Sequence, residues 1–191
     1  LGPVKVGASG CVQALHIADY SVPTMHKRAV AVPPGETRSV SFLSFVGLLV
    51  RGDVARAEIP RADFFIDQDD TEYALRLARH GRLVGVGDSV VVHHNEQAMR
   101  TRRVLGRTVI VGGTWRIYYA VRNPLLIARL HGSPSARAVS AVVGALRLAG
   151  RLVAALVHHR ADLRRWTPAL RGYLDGLRGR TGPVVRPHDY R

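Results

Sequence analysis

The chain has 191 residues and a formal net charge of +14, which is enough length for one domain with a sizeable core and a helical appendage. Lys5 and Lys27 are the only lysines among 28 Lys and Arg residues, so the excess charge is almost entirely arginine. Cys11 is the only cysteine, which excludes an internal disulfide, and no secretory signal pattern opens the sequence. We therefore expect a cytoplasmic location and a phosphate-rich partner, whether nucleic acid, anionic lipid or a sugar diphosphate.

The first half of the chain reads as strands around one well-marked helix. A turn at Pro33-Pro34-Gly35 precedes the apolar run Val40 to Val50, which predicts a buried strand. Residues Asp69 to His80 predict a helix, with Asp69 as cap, Glu72 completing a capping box and Gly81 ending it. This is the clearest helix in the sequence.

The second half changes character near Thr114. The β-branched run Leu83 to Val92 predicts one or two strands broken near Gly85 to Asp88. Glu96 to Thr108 is polar and arginine-rich without clear periodicity, whereas Trp115 to Arg178 predicts helices. We expect breaks in these helices near Gly132 to Pro134 and near Thr167 and Pro168.

The segment Ala138 to Val157 is long enough to cross a bilayer but carries Arg147 and Arg151 near its middle. Insertion of the two arginines costs about 5 to 7 kcal/mol, whereas the Val and Leu residues return only about 3 to 5 kcal/mol. The sequence therefore predicts an amphipathic helix that does not span. Such a basic helix can rest on an anionic membrane or pack on its own domain.

Four carboxylates are concentrated after an apolar segment, at Asp67, Asp69, Asp70 and Glu72. Crowded carboxylates raise one another's pKa, which suits a general base or a metal site. Acidic residues are also favoured at the start of a solvated helix by capping and by the helix dipole. The residues by themselves leave both interpretations open.

Two histidines, His93 and His94, are predicted at a strand end. Histidines there either bind a metal or face water. With Asp69 and Asp70 they could form a nitrogen and oxygen site for Mn²⁺ or Mg²⁺, but the spacing matches no closed zinc motif.

Several segments in order resemble bacterial family 2 glycosyltransferases, and most closely the rhamnosyl- and galactofuranosyltransferases. A second similarity is to the W-Y-Y-x-x-R-N segment that follows the catalytic domain in these enzymes. The residues that carry the first similarity are Val40 to Arg51, Ile59-Pro60, Phe64 to Ile66, Asp69 to Arg76, Gly81 and Val90 to His93, and those that carry the second are Trp115, Tyr118, Tyr119, Arg122 and Asn123.

The resemblance implies an α/β chain containing the C-terminal part of a GT-A type mixed sheet in residues 1–112. Residues 113–191 are then a helical, basic region at a membrane surface. The implied activity is inverting transfer from a nucleotide diphosphate sugar, of the UDP-galactofuranose or dTDP-rhamnose type, to a glycan or polyprenyl-linked acceptor in cell-envelope polysaccharide assembly. The implied location is the inner face of the cell membrane, with no nucleic acid partner.

The resemblance also assigns roles to individual residues. Asp70 is implied as the catalytic base, with Asp69 sharing that role or orienting the acceptor. Glu72 and Trp115 are implied on the acceptor side, and His93 as a ligand of Mn²⁺ or Mg²⁺. Asp67 and Gln68 stand where many relatives have aromatic residues, which bears on the stacking of an acceptor sugar.

The nucleotide-binding strands of these enzymes and their Asp-x-Asp motif are expected to precede residue 1. The chain is then the acceptor-side part of an enzyme, inactive by itself. The alternative function is a noncatalytic basic module that binds anionic membrane or nucleic acid through its C-terminal helices. That alternative does not account for the acidic motif followed by a strand-end histidine.

Overall fold

A computed structural model describes residues 1–7, 14–93, 101–104, 107–110, 114–157 and 163–186. Two short 3-10 helices, at Ala14–His16 and Ala62–Phe64, accompany eight strands and five α-helices in these residues. The strands are β1 Gly2–Gly7, β2 Ile17–Ser21, β3 His26–Ala29, β4 Thr37–Val40, β5 Phe42–Leu43, β6 Leu83–His93, β7 Thr101–Val104 and β8 Arg107–Ile110. The helices are α1 Gly52–Ala57, α2 Asp69–Leu77, α3 Thr114–His131, α4 Pro134–Val157 and α5 Leu163–Arg178.

The described strands form three sheets, with three, three and two strands, and the first of them is mixed. β6 is central in the first sheet, parallel to β1 and antiparallel to β4. The other sheets have the order β3-β2-β5 and the hairpin pair β7-β8. The chain is therefore α/β with a mixed sheet, as predicted. The more specific GT-A assignment stays a prediction.

β6 contains the irregularity that the sequence predicts near Gly85 to Asp88. Pro3 pairs with Val86 and Val4 with Val90, so three residues of β6 have no partner in β1. A side chain at Gly87 could not be accommodated, because its Cβ would lie 1.8 Å from the carbonyl oxygen of Pro33. One bulged strand explains why the sequence fits one strand or two.

The described residues divide into two compact units. The first consists of residues 1–20, 27–60 and 70–112 and contains the three sheets apart from a few terminal residues of β2 and β3. The second consists of residues 21–26, 61–69 and 113–191 and contains α3, α4 and α5. Asp69 is the last residue of a second-unit segment, and Asp70 begins the next segment of the first.

Each unit has its own buried apolar residues. The first buries side chains from its strands together with residues 71–74 of α2, and the second buries α3 on all sides from Arg122 to Ala128. The most buried apolar members in the first unit are Ala18, Phe42, Leu43 and Ala74, and in the second Phe64, Tyr118, Tyr119, Ile127, Ala128, Ala169 and Val185.

The predicted strand Val40 to Val50 is wrong over most of its length. The strands end at Val40 and Leu43, and the chain then turns through Gly47, whose φ is +76°. A Cβ at Gly47 would lie 2.5 Å from the Pro3 ring, so the turn requires glycine. The mostly apolar composition of the run led to the prediction of a single strand.

Three helix and strand boundaries also differ from expectation. α2 ends at Leu77 and not at His80, because the last amides bond to carbonyls only three residues back. The arginine-rich stretch 96–108 contains β7 and part of β8. The break predicted near Thr167 and Pro168 is absent, since α5 continues through them to Arg178.

The break predicted near Gly132 to Pro134 is confirmed, because α3 ends at His131 and α4 begins at Pro134. Within the described residues, no helix has both the length and the apolar character that a membrane span needs. The orientation of α4 differs from a typical amphipathic helix. Ser140 and Leu148 lie on its buried side, whereas Leu146 is 67% exposed.

Ser140 of the predicted polar face therefore lies against protein, whereas the Arg147 side chain stays exposed and still reaches back to it. Arg147 donates hydrogen bonds of 3.0 and 3.2 Å to the carbonyl oxygens of Thr24 and Met25. The opposite side is an apolar stripe of Val139, Val142, Leu146 and Val153, all at least 44% exposed.

Candidate functional site

The acidic motif is preceded by a turn of unusual backbone geometry. Phe65, Asp67 and Gln68 have φ values of +67°, +62° and +68°. The left-handed region is unfavourable for residues with a Cβ, above all for a bulky one such as Phe65. Such a conformation persists only where surrounding contacts impose it, and it is concentrated at functional sites.

Asn123 of α3 supplies the contacts that impose this turn. Its side-chain Nδ2 donates to the carbonyl oxygens of Phe64, Ile66 and Asp67 at 3.0, 2.8 and 2.6 Å. The side chain is completely buried. One amide therefore fixes the backbone over four residues that lead into Asp69 and Asp70.

Arg122 strengthens the same arrangement. Its guanidinium is completely buried and donates to the Asn123 Oδ1 at 2.8 Å, to the Phe64 carbonyl at 3.1 Å and to the Gly182 carbonyl at 2.6 Å. The group lies 4.8 Å from the centroid of the Tyr119 ring. These bonds compensate the cost of burying a charge. The sequence left open whether this segment was core or functional, and the structure shows that it positions the turn.

Trp115 of α3 belongs to an aromatic cluster that includes Phe65 of the same turn. Phe65 lies 6.3 Å from the Trp115 ring and 5.1 Å from the Tyr119 ring, measured between centroids. Phe65 is 44% exposed, whereas the Tyr119 hydroxyl is buried and donates to the Val185 carbonyl at 2.6 Å. Arg116 pairs with Asp67 at 3.1 Å. The turn thus exposes the aromatic ring of Phe65, and the Tyr119 ring that packs against it is held by a buried hydrogen bond.

Asp69 and Asp70 are the first two residues of α2, where the helix dipole favours negative charge. The Asp70 Oδ1 accepts a hydrogen bond from the Thr71 hydroxyl at 3.3 Å and lies 3.8 Å from the Lys27 Nζ. The Asp70 side chain is 23% exposed. A partly exposed carboxylate beside a cation can receive a proton from a bound hydroxyl.

Glu72 differs from Asp70 in being 1% exposed. Both of its oxygens accept from the Arg76 Nε at 3.0 Å, and Arg76 also donates to Glu58 and to the Ile59 carbonyl. Glu72 and Arg76 therefore tie α2 to the segment after α1.

A buried polar cluster in the first unit was not anticipated from the sequence. Lys5 of β1 is 2% exposed, and its Nζ donates to the Ser44 hydroxyl and lies 3.0 Å from the His16 Nδ1. Burial lowers the pKa of Lys5 to about 8, and the negative charge of Asp70 offsets part of this effect. The signal that could have revealed the cluster is the rarity of lysine in an arginine-rich chain.

The predicted metal site is not assembled among the described residues. β6 ends at His93, which pairs with Gly7, but the His93 side chain and His94 lie outside the described part of the chain. Among the side chains that are described, no group of three His, Cys, Asp or Glu residues could hold a metal ion. The Lys27 ammonium, 3.8 Å from the Asp70 Oδ1, also disfavours a metal ion at Asp70.

Comparison with known proteins supports a relationship to glycosyltransferases. A dTDP-rhamnosyl transferase, RfbF, of Shigella flexneri is 25% identical over 178 residues, which cover 93% of this chain and 54% of that enzyme. The chain thus spans about half the length of that relative. No family model matches the sequence, and no solved structure matches the chain. The similarity supports an enzyme of the transferase kind.

Proposed function

We propose that the chain is the acceptor-side part of a family 2 glycosyltransferase with a GT-A fold, and that Asp70 is its catalytic base. The observation that carries the proposal is the position of Asp70, a partly exposed carboxylate at the start of α2 facing the Lys27 ammonium. The similarity to a rhamnosyl transferase over nearly the whole chain supports it.

In the proposed reaction Asp70 accepts the proton of an acceptor hydroxyl. The freed oxygen forms a bond to the anomeric carbon of the donor sugar while the bond to the diphosphate breaks on the opposite face. The anomeric configuration is therefore inverted, and the nucleoside diphosphate leaves with the electron pair. Positioned proton transfer of this kind contributes typically 10² to 10⁴-fold to a rate.

The proposed donor is a nucleotide diphosphate sugar of the dTDP-rhamnose type, and UDP-galactofuranose is the alternative. The similarity to a dTDP-rhamnosyl transferase favours the first. Mn²⁺ or Mg²⁺ remains part of the proposal, with His93 as its ligand. Such an ion would stabilise the charge of the departing diphosphate.

The proposed acceptor is a glycan or polyprenyl-linked sugar. Phe65 offers exposed aromatic surface of the kind that packs against the apolar face of a sugar ring, beside the partly buried Trp115. Phe65 stands two residues before the positions where aromatics were expected. Asp69 is proposed to orient acceptor hydroxyls. We propose that Glu72 supports the acidic segment through its bonds to Arg76 and does not contact the acceptor.

Attachment to the inner face of the cell membrane, in cell-envelope polysaccharide assembly, is also proposed. The apolar stripe of α4 is the surface offered for that contact. A second candidate function is a noncatalytic basic module, since residues 97–161 contain eleven arginines and no acidic residue. The module requires neither the turn at residues 65–68 nor a carboxylate at Asp70.

The test is sugar transfer by the full-length gene product that contains this chain, assayed with dTDP-rhamnose and with UDP-galactofuranose in the presence of Mn²⁺. We expect transfer from one donor, and its loss by at least about 10²-fold in Asp70→Asn. Absence of transfer or donor hydrolysis with both donors would reject the catalytic proposal and favour the basic module.

A further inference from the structure

The segment that follows α5 returns to the turn that contains Phe65. We call residues 182–185 the C-terminal strap, and the strap and the turn lie in the same compact unit. We propose that this strap positions Phe65, so that it belongs to the acceptor-binding site without contacting the acceptor. The role in acceptor binding rests on the proposed function, whereas the structural dependence of Phe65 on the strap does not.

Gly182 joins the strap to the residues directly before Phe65. Its N–H donates to the Asp63 carbonyl at 2.6 Å, and its carbonyl accepts from the Arg122 guanidinium at 2.6 Å. The same guanidinium donates to the carbonyl oxygens of Asp63 and Phe64 at 3.3 and 3.1 Å. The φ of Gly182 is +85°, which glycine adopts without strain. The start of the strap therefore closes a hydrogen-bonded ring with α3 and the beginning of the turn.

Val185 joins the strap to the ring that packs against Phe65. Its carbonyl accepts from the Tyr119 hydroxyl at 2.6 Å, and its N–H donates to the same hydroxyl at 3.0 Å. The Val185 side chain is completely buried with Tyr118 and Tyr119, and Ile66 packs against this cluster. Because the hydroxyl both donates and accepts, the strap holds the Tyr119 ring in one orientation. That ring lies 5.1 Å from the Phe65 ring, measured between centroids.

Phe65 depends on support from outside its own turn. Its ring is 44% exposed, and its φ of +67° is unfavourable for a residue of this size. Asn123 bonds to the backbone on both sides of Phe65, whereas the ring itself rests on Tyr119 and Trp115. A ring that is already held in one orientation loses less conformational entropy when it binds a sugar. Loosening the strap should therefore weaken acceptor binding and leave the chemical step at Asp70 intact.

Amide hydrogen exchange followed by NMR tests this dependence on the chain itself. Tyr119→Phe removes the hydroxyl that bonds to the strap and keeps the ring beside Phe65. The backbone amides of Phe65 and Ile66 donate to the Ala62 and Phe64 carbonyls at 3.1 and 2.9 Å, so their exchange reports local opening of the turn. We expect exchange at both amides to become about tenfold faster or more in Tyr119→Phe.

The ring of Phe65 gives a second readout. The chain has four phenylalanines that 4-fluorophenylalanine can label, and Phe65→Leu assigns the ¹⁹F signal of Phe65. In Val185→Ala, which loosens the buried cluster behind the turn, this signal should shift and broaden as the ring samples more orientations. Val185→Ala also takes the place of Tyr119→Phe in the exchange measurement if that variant does not fold.

The matched control is Tyr173→Phe. It removes another tyrosine hydroxyl of the same unit, one that joins α5 to α4 by donating to the Ala141 carbonyl at 3.0 Å. Exchange at Phe65 and its ¹⁹F signal should keep their native values in this variant. Values that are the same in the native chain, Tyr119→Phe and Val185→Ala would overturn the inference.

Transfer by the full-length gene product separates positioning of the acceptor site from general structural support, with octyl rhamnoside and octyl N-acetylglucosaminide as acceptor probes. Tyr119→Phe and Val185→Ala should raise the KM for the acceptor about fivefold, with kcat and the KM for the donor little changed. Tyr173→Phe should change none of these constants. A lower kcat with an unchanged acceptor KM would overturn the positioning role. Faster exchange at Phe65 in Tyr119→Phe, in a native protein that neither transfers sugar nor hydrolyses a donor, would confirm the strap and reject only the proposed function.

Discussion

The side-chain amide of Asn123 donates a 2.8 Å hydrogen bond to the carbonyl oxygen of Ile66, fifty-seven residues earlier in the chain. The same nitrogen also reaches the carbonyls of Phe64 and Asp67. Three backbone carbonyls thus share the two N–H groups of one buried amide, and these bonds are what allow Phe65 and Asp67 to keep positive φ values. The turn before the acidic helix therefore depends on α3.

Removing this amide should destabilise the protein strongly. We expect Asn123→Ala to lower the free energy of unfolding by about 2 to 4 kcal/mol, since it leaves buried carbonyl groups without their donor. Urea denaturation followed by circular dichroism measures the change. Ser135→Ala, at an exposed serine of α4, is the control and should cost no more than about 0.5 kcal/mol. Equal costs in the two variants would refute the role given to Asn123.

A lysine at position 122 should not substitute for the Arg122 guanidinium, although it carries the same charge. Arg122→Lys keeps the cation but loses the planar fork that reaches Asn123, Phe64 and Gly182 together, so we expect a loss of roughly 2 kcal/mol or more. Thermal unfolding provides the measurement. Arg137→Lys, on the exposed side of α4, should leave the melting temperature nearly unchanged. A similar small change in Arg122→Lys would contradict the bonding described.

Alanine substitutions at two helical glycines should change stability in opposite directions, because only one of them lies where α5 packs closely against α3. A Cβ at Gly172 would lie 2.4 Å from the Tyr118 carbonyl oxygen, whereas one at Gly150 meets nothing within 4 Å. Gly172→Ala should therefore destabilise by roughly 2 kcal/mol. Gly150→Ala should stabilise by up to about 1 kcal/mol through helix propensity. If both variants are stabilised in chemical denaturation, the described α3–α5 packing is incorrect.

Lys5 gives stability a distinct pH dependence. The pKa of Lys5 is lowered to about 8 in the folded chain, so between about pH 8 and 10 the unfolded chain binds a proton that the folded chain does not. The free energy of unfolding should therefore rise with pH across this window, by up to about 3 kcal/mol. Urea denaturation at pH 7.5, 9 and 10 should show the rise in the native protein and not in Lys5→Met.

One control variant and one limit on the pH range belong to this measurement. Arg38→Met removes an exposed cation that is paired with Glu36, and it should keep the rise. Measurements stop at pH 10. The pKa of Tyr118 is raised to about 12 by burial and by its hydrogen bond to Asp175. At higher pH the unfolded chain therefore loses a proton that the folded chain keeps, and the free energy of unfolding falls. A rise that persists in Lys5→Met would show that another group is responsible.

The elements with local signals could be predicted from the sequence. The start of α2 at Asp69, the long strand from Leu83 to His93 and the division of the helices at Gly132 all follow from capping residues, β-branched runs or Gly and Pro. The turn at Gly47 could not be recognised within an apolar run, because its cause is the distant Pro3 ring. The predicted break at Pro168 was wrong. Packing of one side of α5, where Ala169 and Asp175 are buried, stabilises the helix through this proline.

The candidate site was predictable only in part. The acidic motif and the W-Y-Y-x-x-R-N segment were identified by resemblance, yet nothing in their spacing indicated that Asn123 bonds to the turn at Phe64 to Asp67. The contact of Lys27 with Asp70 joins residues forty-three positions apart and follows from no periodic pattern. Long-range polar contacts of this kind depend on the tertiary fold.

The most direct test of the account compares sugar transfer by the full-length gene product containing this chain with that of its Asp70→Asn and Asp53→Asn variants. Native protein and Asp53→Asn should transfer sugar from dTDP-rhamnose, whereas Asp70→Asn should be at least about 10²-fold slower while retaining the native circular dichroism spectrum. Addition of EDTA to the native enzyme should also abolish transfer if Mn²⁺ or Mg²⁺ is required as proposed. Transfer at the native rate by a folded Asp70→Asn protein would contradict the central claim.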